Sequence, residues 1–208
     1  MRKHLVFALA LALSSLLFAV TVSAQTSGLN GAGVGPSATA RGIGSTVTDF
    51  TLTDVNGAQQ SLASLKGEKG TVLIFISSRC PVVKAYNERM EQLAKEYKAK
   101  GINFVGINAN SNEPLDEVKA HASQHYTFPV LIDKGNKIAD RLGAEHTPEV
   151  YFLDANNRLV YHGRIDNNRD QSLISKRELT DALDAVLAGK PVTVTETAAV
   201  GCTIKRVE

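Results

Sequence analysis

Val72-Leu73-Ile74-Phe75-Ile76-Ser77-Ser78-Arg79-Cys80-Pro81-Val82-Val83-Lys84 is the stretch on which the reading of this chain turns. Five consecutive apolar residues, two of them isoleucine and one valine, suit a strand buried on both faces. Pro81 suits the first turn of a helix, where its missing N–H costs nothing. Cys80 therefore falls where a strand hands over to a helix. The unpaired N–H groups and positive dipole end of a helix stabilise negative charge there, and Arg79 and Lys84 add to it. A free thiol of pKa about 8.5 is roughly 3% ionised at pH 7, whereas a drop of about two units makes it roughly 75% ionised. The position favours sulfur chemistry, and a buried, inert cysteine is the plain alternative.

Working outward, the spacing predicts a helix over Pro81–Lys100. Tyr86, Met90, Leu93 and Tyr97 recur along one face, and Gly101 supplies the C-terminal cap. Ile102–Ala109 reads as the next strand, parallel to the first with a right-handed crossover. A helix over Pro114–Tyr126, a short strand over Phe128–Asp133 and a short helix over Asn136–Leu142 follow. Thr147-Pro148 precedes a strand over Glu149–Asp154, and Arg158–Ile165 returns beside it. Ser175 and Glu178 form an S-x-x-E capping box for a last helix running to Gly189. Upstream, Asn56-Gly57 marks a β-hairpin. The order is α/β, with an N-terminal hairpin and a βα insertion in the middle.

The ends carry separate information. Arg2, Lys3 and His4 precede an apolar run from Leu5 to Val22, and Val22-Ser23-Ala24 supplies small residues before Gln25. Residues 1–24 read as a secretory signal peptide, and the small residues favour cleavage over an uncleaved membrane anchor. Residues 25–45, with six glycines from Gly28 to Gly44, read as a flexible leader. The domain is expected over 46–189, with a polar tail over 190–208. Removing residues 1–24 takes two basic side chains and no acidic one, which leaves basic and acidic side chains equal in number. No basic block stands out, so neither a nucleic acid nor, after cleavage, a membrane is an expected partner. Export to a periplasm or beyond would place Cys80 and Cys202, the two cysteines of the chain, in an oxidising compartment.

These stretches resemble the thioredoxin superfamily, specifically its redoxin branch of alkyl hydroperoxide reductase/thiol-specific antioxidant proteins and a peroxiredoxin-like subgroup within it. The matching segments are Asp49–Gly57, Val72–Met90, Val105–Asn110, Leu142–Asp154, Leu159–Asn167 and Gly201–Arg206, nearly the whole chain after the leader. The resemblance implies a thioredoxin-like fold with Cys80 at the reactive position. It also implies that Pro148 is cis opposite Cys80, where Thr147 and Pro148 shape a substrate groove. Ser77 matches the hydroxyl that peroxiredoxins carry three residues before the reactive cysteine, where it stabilises thiolate or peroxide.

The chain also departs from these relatives. Dithiol thioredoxins carry C-x-x-C, and here the second position is Val83. Many members of the subgroup have a cysteine where this chain has Ser77. Peroxiredoxins have a proline where this chain has Leu73, and an arginine near the start of the strand where it has Pro148. Arg79, Arg141 and Arg164 are candidates to replace that arginine.

Cys202 lies far away in sequence, but reach does not exclude pairing. The tail from Gly189 can extend about 40 Å, against a radius of gyration of about 15 Å for a domain of this length. Three readings stay open: a resolving thiol for Cys80, a static disulfide that pins the tail, or an unpaired packing residue.

His121 and His125, four apart on a predicted helix, could share a face for a metal, but a solvated face fits better and no metal or cofactor is expected. The expectation is an exported thiol-based oxidoreductase. Cys80 is its nucleophile, Ser77, Arg79 and Pro81 support the thiolate, Thr147 and Pro148 line the groove, and Cys202 resolves. Its substrate is a peroxide or a protein disulfide, and its partner an external thiol or dithiol electron donor. The competing reading is a redox-inactive binding module with a structural Cys80–Cys202 disulfide.

Overall fold

The computed structural model describes residues 42–208. The expected signal peptide and most of the leader lie outside the described residues. The last leader residues are bound to the domain: the Gly44 N–H donates to the Leu159 carbonyl at 2.7 Å, and the Leu159 N–H donates to the Ser45 carbonyl at 2.9 Å.

The strands are β1 (Thr51–Asp54), β2 (Gln59–Ser61), β3 (Gly70–Ile76), β4 (Ile102–Asn108), β5 (Val130–Ile132), β6 (His146–Thr147), β7 (Glu149–Asp154), β8 (Leu159–Gly163) and β9 (Cys202–Thr203). Seven of them form one sheet in the order β2-β1-β5-β4-β3-β7-β8, and β6 pairs separately with β9. β3 and β4 are parallel, as the long helix between them requires. The hairpin β1–β2 joins the sheet through β5. The insertion therefore does more than fill a connection, because it bridges hairpin and core.

Alternation along the strands divides the core. Val72, Ile74 and Ile76 face one layer with Val150 and Phe152, while Leu73 and Phe75 face the other with Tyr151 and Leu153. Helices α2 (Pro81–Lys98), α3 (Leu115–His125) and α5 (Glu178–Leu187) bury apolar side chains in the first layer. The short helices α1 (Leu62–Leu65) and α4 (Lys137–Leu142) serve the second, together with Ile204 of the tail. Val83, Tyr86, Met90, Ala94 and Tyr97 are the buried stripe of α2, and the Tyr97 hydroxyl donates to Asp184 of α5 at 2.7 Å.

The expected capping box at Ser175 does not form. Arg177 occupies the N-cap of α5 without a side-chain cap bond. Ser175 is taken by the 166–168 loop instead: its N–H donates to Asn167 Oδ1 at 3.0 Å, and its hydroxyl accepts from Asn167 Nδ2 at 2.8 Å. A tertiary partner outcompetes the local motif.

Candidate active site

Cys80 is the N-cap of α2, with Pro81 in the first helical turn. β3 ends at Ile76, so the turn Ser77-Ser78-Arg79 sets Cys80 just past the C-terminal end of a central, fully buried strand. The residue is only 2% exposed. Its sulfur lies 3.2 Å from the Thr147 carbonyl oxygen and 2.6 Å from the Cys202 sulfur. Both cysteines are free thiols. Oxidation would need to shorten that separation by only about half an ångström to close a disulfide.

β9 carries the second sulfur. Cys202 sits opposite Thr147 in the antiparallel β6–β9 pair, and the Ile204 N–H extends the contact to the Glu145 carbonyl at 2.9 Å. The Thr147–Pro148 bond is cis, as the resemblance implies. The tail fits against it because residue 201 is glycine. A Cβ there would lie 1.9 Å from the Thr147 carbonyl oxygen.

The two sulfurs differ in acidity. Burial pushes the Cys80 thiol up, but hydrogen bonds from the Cys202 thiol and the Val83 N–H outweigh it, and the net shift is downward. The Thr147 side chain and the Cys202 backbone act in the same sense. The Thr147 carbonyl oxygen can only accept, so it favours the protonated thiol and opposes them. Cys202 moves the other way, to about 11, through burial and through donating to Cys80. The first proton therefore leaves Cys80, and Cys202 holds its own.

Ser77 and Arg79 are not placed around the sulfur. The Ser77 hydroxyl donates to Glu113 and accepts the Cys80 N–H at 3.0 Å and the Arg79 N–H at 3.2 Å. Arg79 reaches outward, with Nε and Nη2 on Glu117 at 2.9 and 2.7 Å and Nη1 on the Asn112 carbonyl at 2.9 Å. The Ser77 hydroxyl and the Arg79 guanidinium, expected to support the thiolate, are hydrogen-bonded to the carboxylates of Glu113 and Glu117. Arg164 pairs with Glu178. Among the described residues no arginine hydrogen-bonds the Cys80 sulfur.

Two carboxylates that the sequence reading missed organise the site. Glu113 accepts from the Ser77 hydroxyl, from the Ser78 N–H and hydroxyl at 2.8 Å each, and from Asn108 Nδ2 at 2.7 Å. It fixes the turn that presents Cys80. Its role had no local signal, since it sits in a loop thirty-odd residues away. Glu149 is 3% exposed. It accepts from the Glu145 and His146 N–H groups at 2.8 and 2.7 Å, the Tyr151 hydroxyl at 2.8 Å and His162 Nε2 at 2.7 Å. It clamps the turn that carries Thr147. This one left a trace, because a lone carboxylate in the apolar run Glu149-Val150-Tyr151-Phe152-Leu153 must be paired if buried.

A cavity of about 390 Å³ is lined by Val82 of the first turn of α2, Tyr86, Pro148, Arg164, Asp166 and Val200 among others. Its floor is rigid. The Arg89–Asp166 ion pair at 2.6 Å is nearly fully buried, and the Tyr86 hydroxyl donates to the same carboxylate at 2.8 Å. His121 and His125 have ring centroids 4.7 Å apart on α3, and the described residues contain no cluster of three or more metal-ligating side chains.

A hypothetical protein of Sinorhizobium meliloti has a solved structure that superposes with a TM-score of 0.74 at 35% identity, covering 80% of this chain and 95% of that one. A secreted disulfide oxidoreductase of Mycobacterium tuberculosis superposes with a TM-score of 0.53 at 26% identity, covering 65% of this chain and 95% of that one. In sequence, the thiol-disulfide oxidoreductase ResA of Halalkalibacterium halodurans is 31% identical over 118 residues, 56% of this chain and 65% of that protein. The chain thus spans a little under two thirds of that relative's length. The model of the AhpC/TSA family matches residues 43–162, which hold β1 to β7, nearly all of β8 and the Cys80 turn. With its sheet order, its thiol at the N-terminus of α2 and its cis proline opposite, the chain has a thioredoxin-like fold and belongs to the AhpC/TSA family.

Proposed function

We propose that the protein is an exported thiol–disulfide oxidoreductase in which Cys80 attacks and Cys202 resolves. The observation that carries this reading is the 2.6 Å approach of the two sulfurs, with the more acidic one at the N-terminus of α2. The names of the ResA relative and of the secreted disulfide oxidoreductase support the same chemistry. The basic and apolar beginning of the chain supports export, and none of the described helices is long and apolar enough to cross a membrane.

The steps follow from the acidities. The Cys80 thiolate attacks one sulfur of a substrate disulfide, and the other substrate sulfur leaves as a thiolate that takes a proton. A mixed disulfide joins Cys80 to the substrate. Cys202 then loses its proton and attacks the Cys80 sulfur, releasing the second substrate thiolate. Two electrons have passed to the substrate, and the Cys80–Cys202 disulfide remains for an external dithiol to reduce. The substrate lies in the cavity beside Pro148, with the tail displaced while it reacts, because Cys80 is covered when Cys202 is docked. Peroxide is the weaker substrate. Among the described residues no arginine hydrogen-bonds the sulfur, and such a donor stabilises the charge that develops on a cleaving peroxide.

Turnover assays with a dithiol donor test the choice. Reduction of a protein disulfide should exceed peroxide consumption and vanish in Cys80→Ser. Disulfide reduction that survives Cys80→Ser, or fast peroxide consumption without disulfide reduction, would overturn the proposal.

A further inference from the structure

The last residues of the chain, Lys205–Glu208, have exposed side chains, and such an end ordinarily frays unless it is tied down. Here the backbone is tied. The Lys205 N–H donates to Asn110 Oδ1 at 3.0 Å, and the Val207 N–H donates to Asn136 Oδ1 at 2.8 Å. The Ser111 N–H donates to the Lys205 carbonyl at 2.9 Å, and the Ser111 hydroxyl to the Arg206 carbonyl at 2.8 Å. Asn110 and Asn136 are buried, at 8% and 1% exposure, and are themselves oriented. Asn136 Nδ2 donates to the Ala109 carbonyl, and the Asn110 N–H donates to Asn108 Oδ1 at 3.1 Å. These groups line a cleft of about 310 Å³ at the ends of β4 and β5.

The contacts that Asn110, Ser111 and Asn136 make with the tail are all to its main-chain groups. Where they fall in the chain matters. Cys202 is carried by β9, which is only two residues long, and so short a pair holds little by itself. On the N-terminal side the tail is held to β8 at Thr195 and Thr197, where the His162 N–H donates to the Thr195 carbonyl at 2.9 Å and the Thr197 N–H to the His162 carbonyl at 3.0 Å, and Val200 between there and Cys202 is 68% exposed. The anchors of Cys202 on its C-terminal side are Ile204 in the core, the captured backbone of residues 205–207 and the Arg206 side chain, whose Nη2 donates to the Ala144 carbonyl at 2.6 Å and whose Nε pairs with Asp140 at 3.2 Å.

We infer that Asn110, Ser111 and Asn136 form a latch for the chain's own C-terminal backbone, and that this latch positions Cys202 against Cys80. They are positioning residues, and they set the effective concentration of the resolving thiol. The inference rests on the reading of Cys202 as that thiol. With glutathione disulfide as oxidant, the Cys80 thiolate attacks one sulfur and releases one glutathione. Deprotonated Cys202 then attacks Cys80 and releases the second. The protein loses two electrons, and the equilibrium constant measures how firmly Cys202 is held.

The test is that equilibrium, read by mass spectrometry over a series of glutathione ratios in the full chain. Lys205→Pro removes the N–H that Asn110 accepts, and Lys205→Ala retains it. Deleting residues 205–208 empties the latch and leaves the cleft residues untouched. Lys205→Pro should lower the constant about tenfold, the deletion by more, and Lys205→Ala by less than about twofold. The melting temperature serves as the check that the domain is intact. A wild-type disulfide whose constant stays within twofold in both Lys205→Pro and the deletion overturns the latch alone. A wild type that forms no Cys80–Cys202 disulfide at any ratio overturns the resolving reading and the latch with it.

Discussion

Replacing Gly201 with alanine tests how the tail is seated. The added Cβ would stand 1.9 Å from the Thr147 carbonyl oxygen and 2.6 Å from its carbon, and 3.2 Å from the Pro148 nitrogen. All three are backbone atoms of a turn that Glu149 clamps from behind, so the turn cannot give way cheaply. The tail must retreat by at least about 1 Å to restore an ordinary carbon–oxygen contact. That retreat opens the β6–β9 pair and lifts Ile204, now 3% exposed, from the core. Two to three hydrogen bonds at about 1 kcal/mol each, with part of the roughly 1.5–3 kcal/mol of a buried isoleucine, give about 3 kcal/mol. A loss of that size lowers the effective concentration of Cys202 by about two orders of magnitude. The undocking is local, because β9 pairs with β6 outside the seven-stranded sheet, and that sheet and α2 stay in place. Gly201→Ala should therefore expose Cys80 and accelerate its alkylation by iodoacetamide, while the Cys80–Cys202 disulfide weakens about a hundredfold against glutathione. Peptide mapping and a thermal melt distinguish this from global unfolding. An unchanged alkylation rate and disulfide equilibrium would refute the seating described above.

Other outcomes follow from the same contacts. In the reduced protein, alkylation of Cys80 should follow a titration below the ordinary thiol range, whereas Cys202 should become reactive only as pH approaches about 11; rate–pH profiles with site mapping check this. Glu149→Gln places an amide where four donors converge, and should cost about 2–4 kcal/mol in denaturant unfolding. Burial pushes the Glu149 carboxyl up, but His162 and the two backbone N–H groups overcome it and hold it below its ordinary value. Its contribution to stability is therefore present above the ordinary carboxylate pKa and is lost as pH falls through the lowered one; the pH dependence of unfolding should flatten there in the variant. Glu113→Ala strands the Ser77 and Ser78 donors, so it should slow Cys80 attack on disulfides by about tenfold or more, while glutathione still titrates Cys202→Ser at Cys80.

Much of this arrangement is legible in the sequence because it is local. The run Val72–Ile76, the helix spacing after Pro81 and the glycine at 101 each report short-range preferences, and β3, α2 and β4 lie within one to two residues of where those patterns put them. The Cys80 N-cap follows from the same strand-to-helix handover. The cis bond before Pro148 came from family resemblance and not from any pattern in the residues. What stayed hidden depends on distant partners. β6 and β9 are two residues each, too short for any periodicity, and their pairing is what brings Cys202 to Cys80. The resemblance to peroxiredoxins implies Ser77 as a thiolate ligand, yet its hydroxyl donates to the Glu113 carboxylate. Ser175 and Glu178 satisfy a capping motif, yet Asn167 claims the serine. Asn110, just past the end of β4, carries no local signal for the distant Lys205 N–H that it accepts.

Trapping with Cys202→Ser tests the division of labour between the two sulfurs most directly. Reduced variant is mixed with a stoichiometric protein disulfide, quenched with acid and mapped by mass spectrometry. A Cys80 nucleophile resolved by Cys202 gives a stable mixed disulfide on Cys80 in the variant and an internal Cys80–Cys202 disulfide in the wild type. A variant that yields no adduct, or a wild type that accumulates the substrate adduct with no internal disulfide, would contradict it.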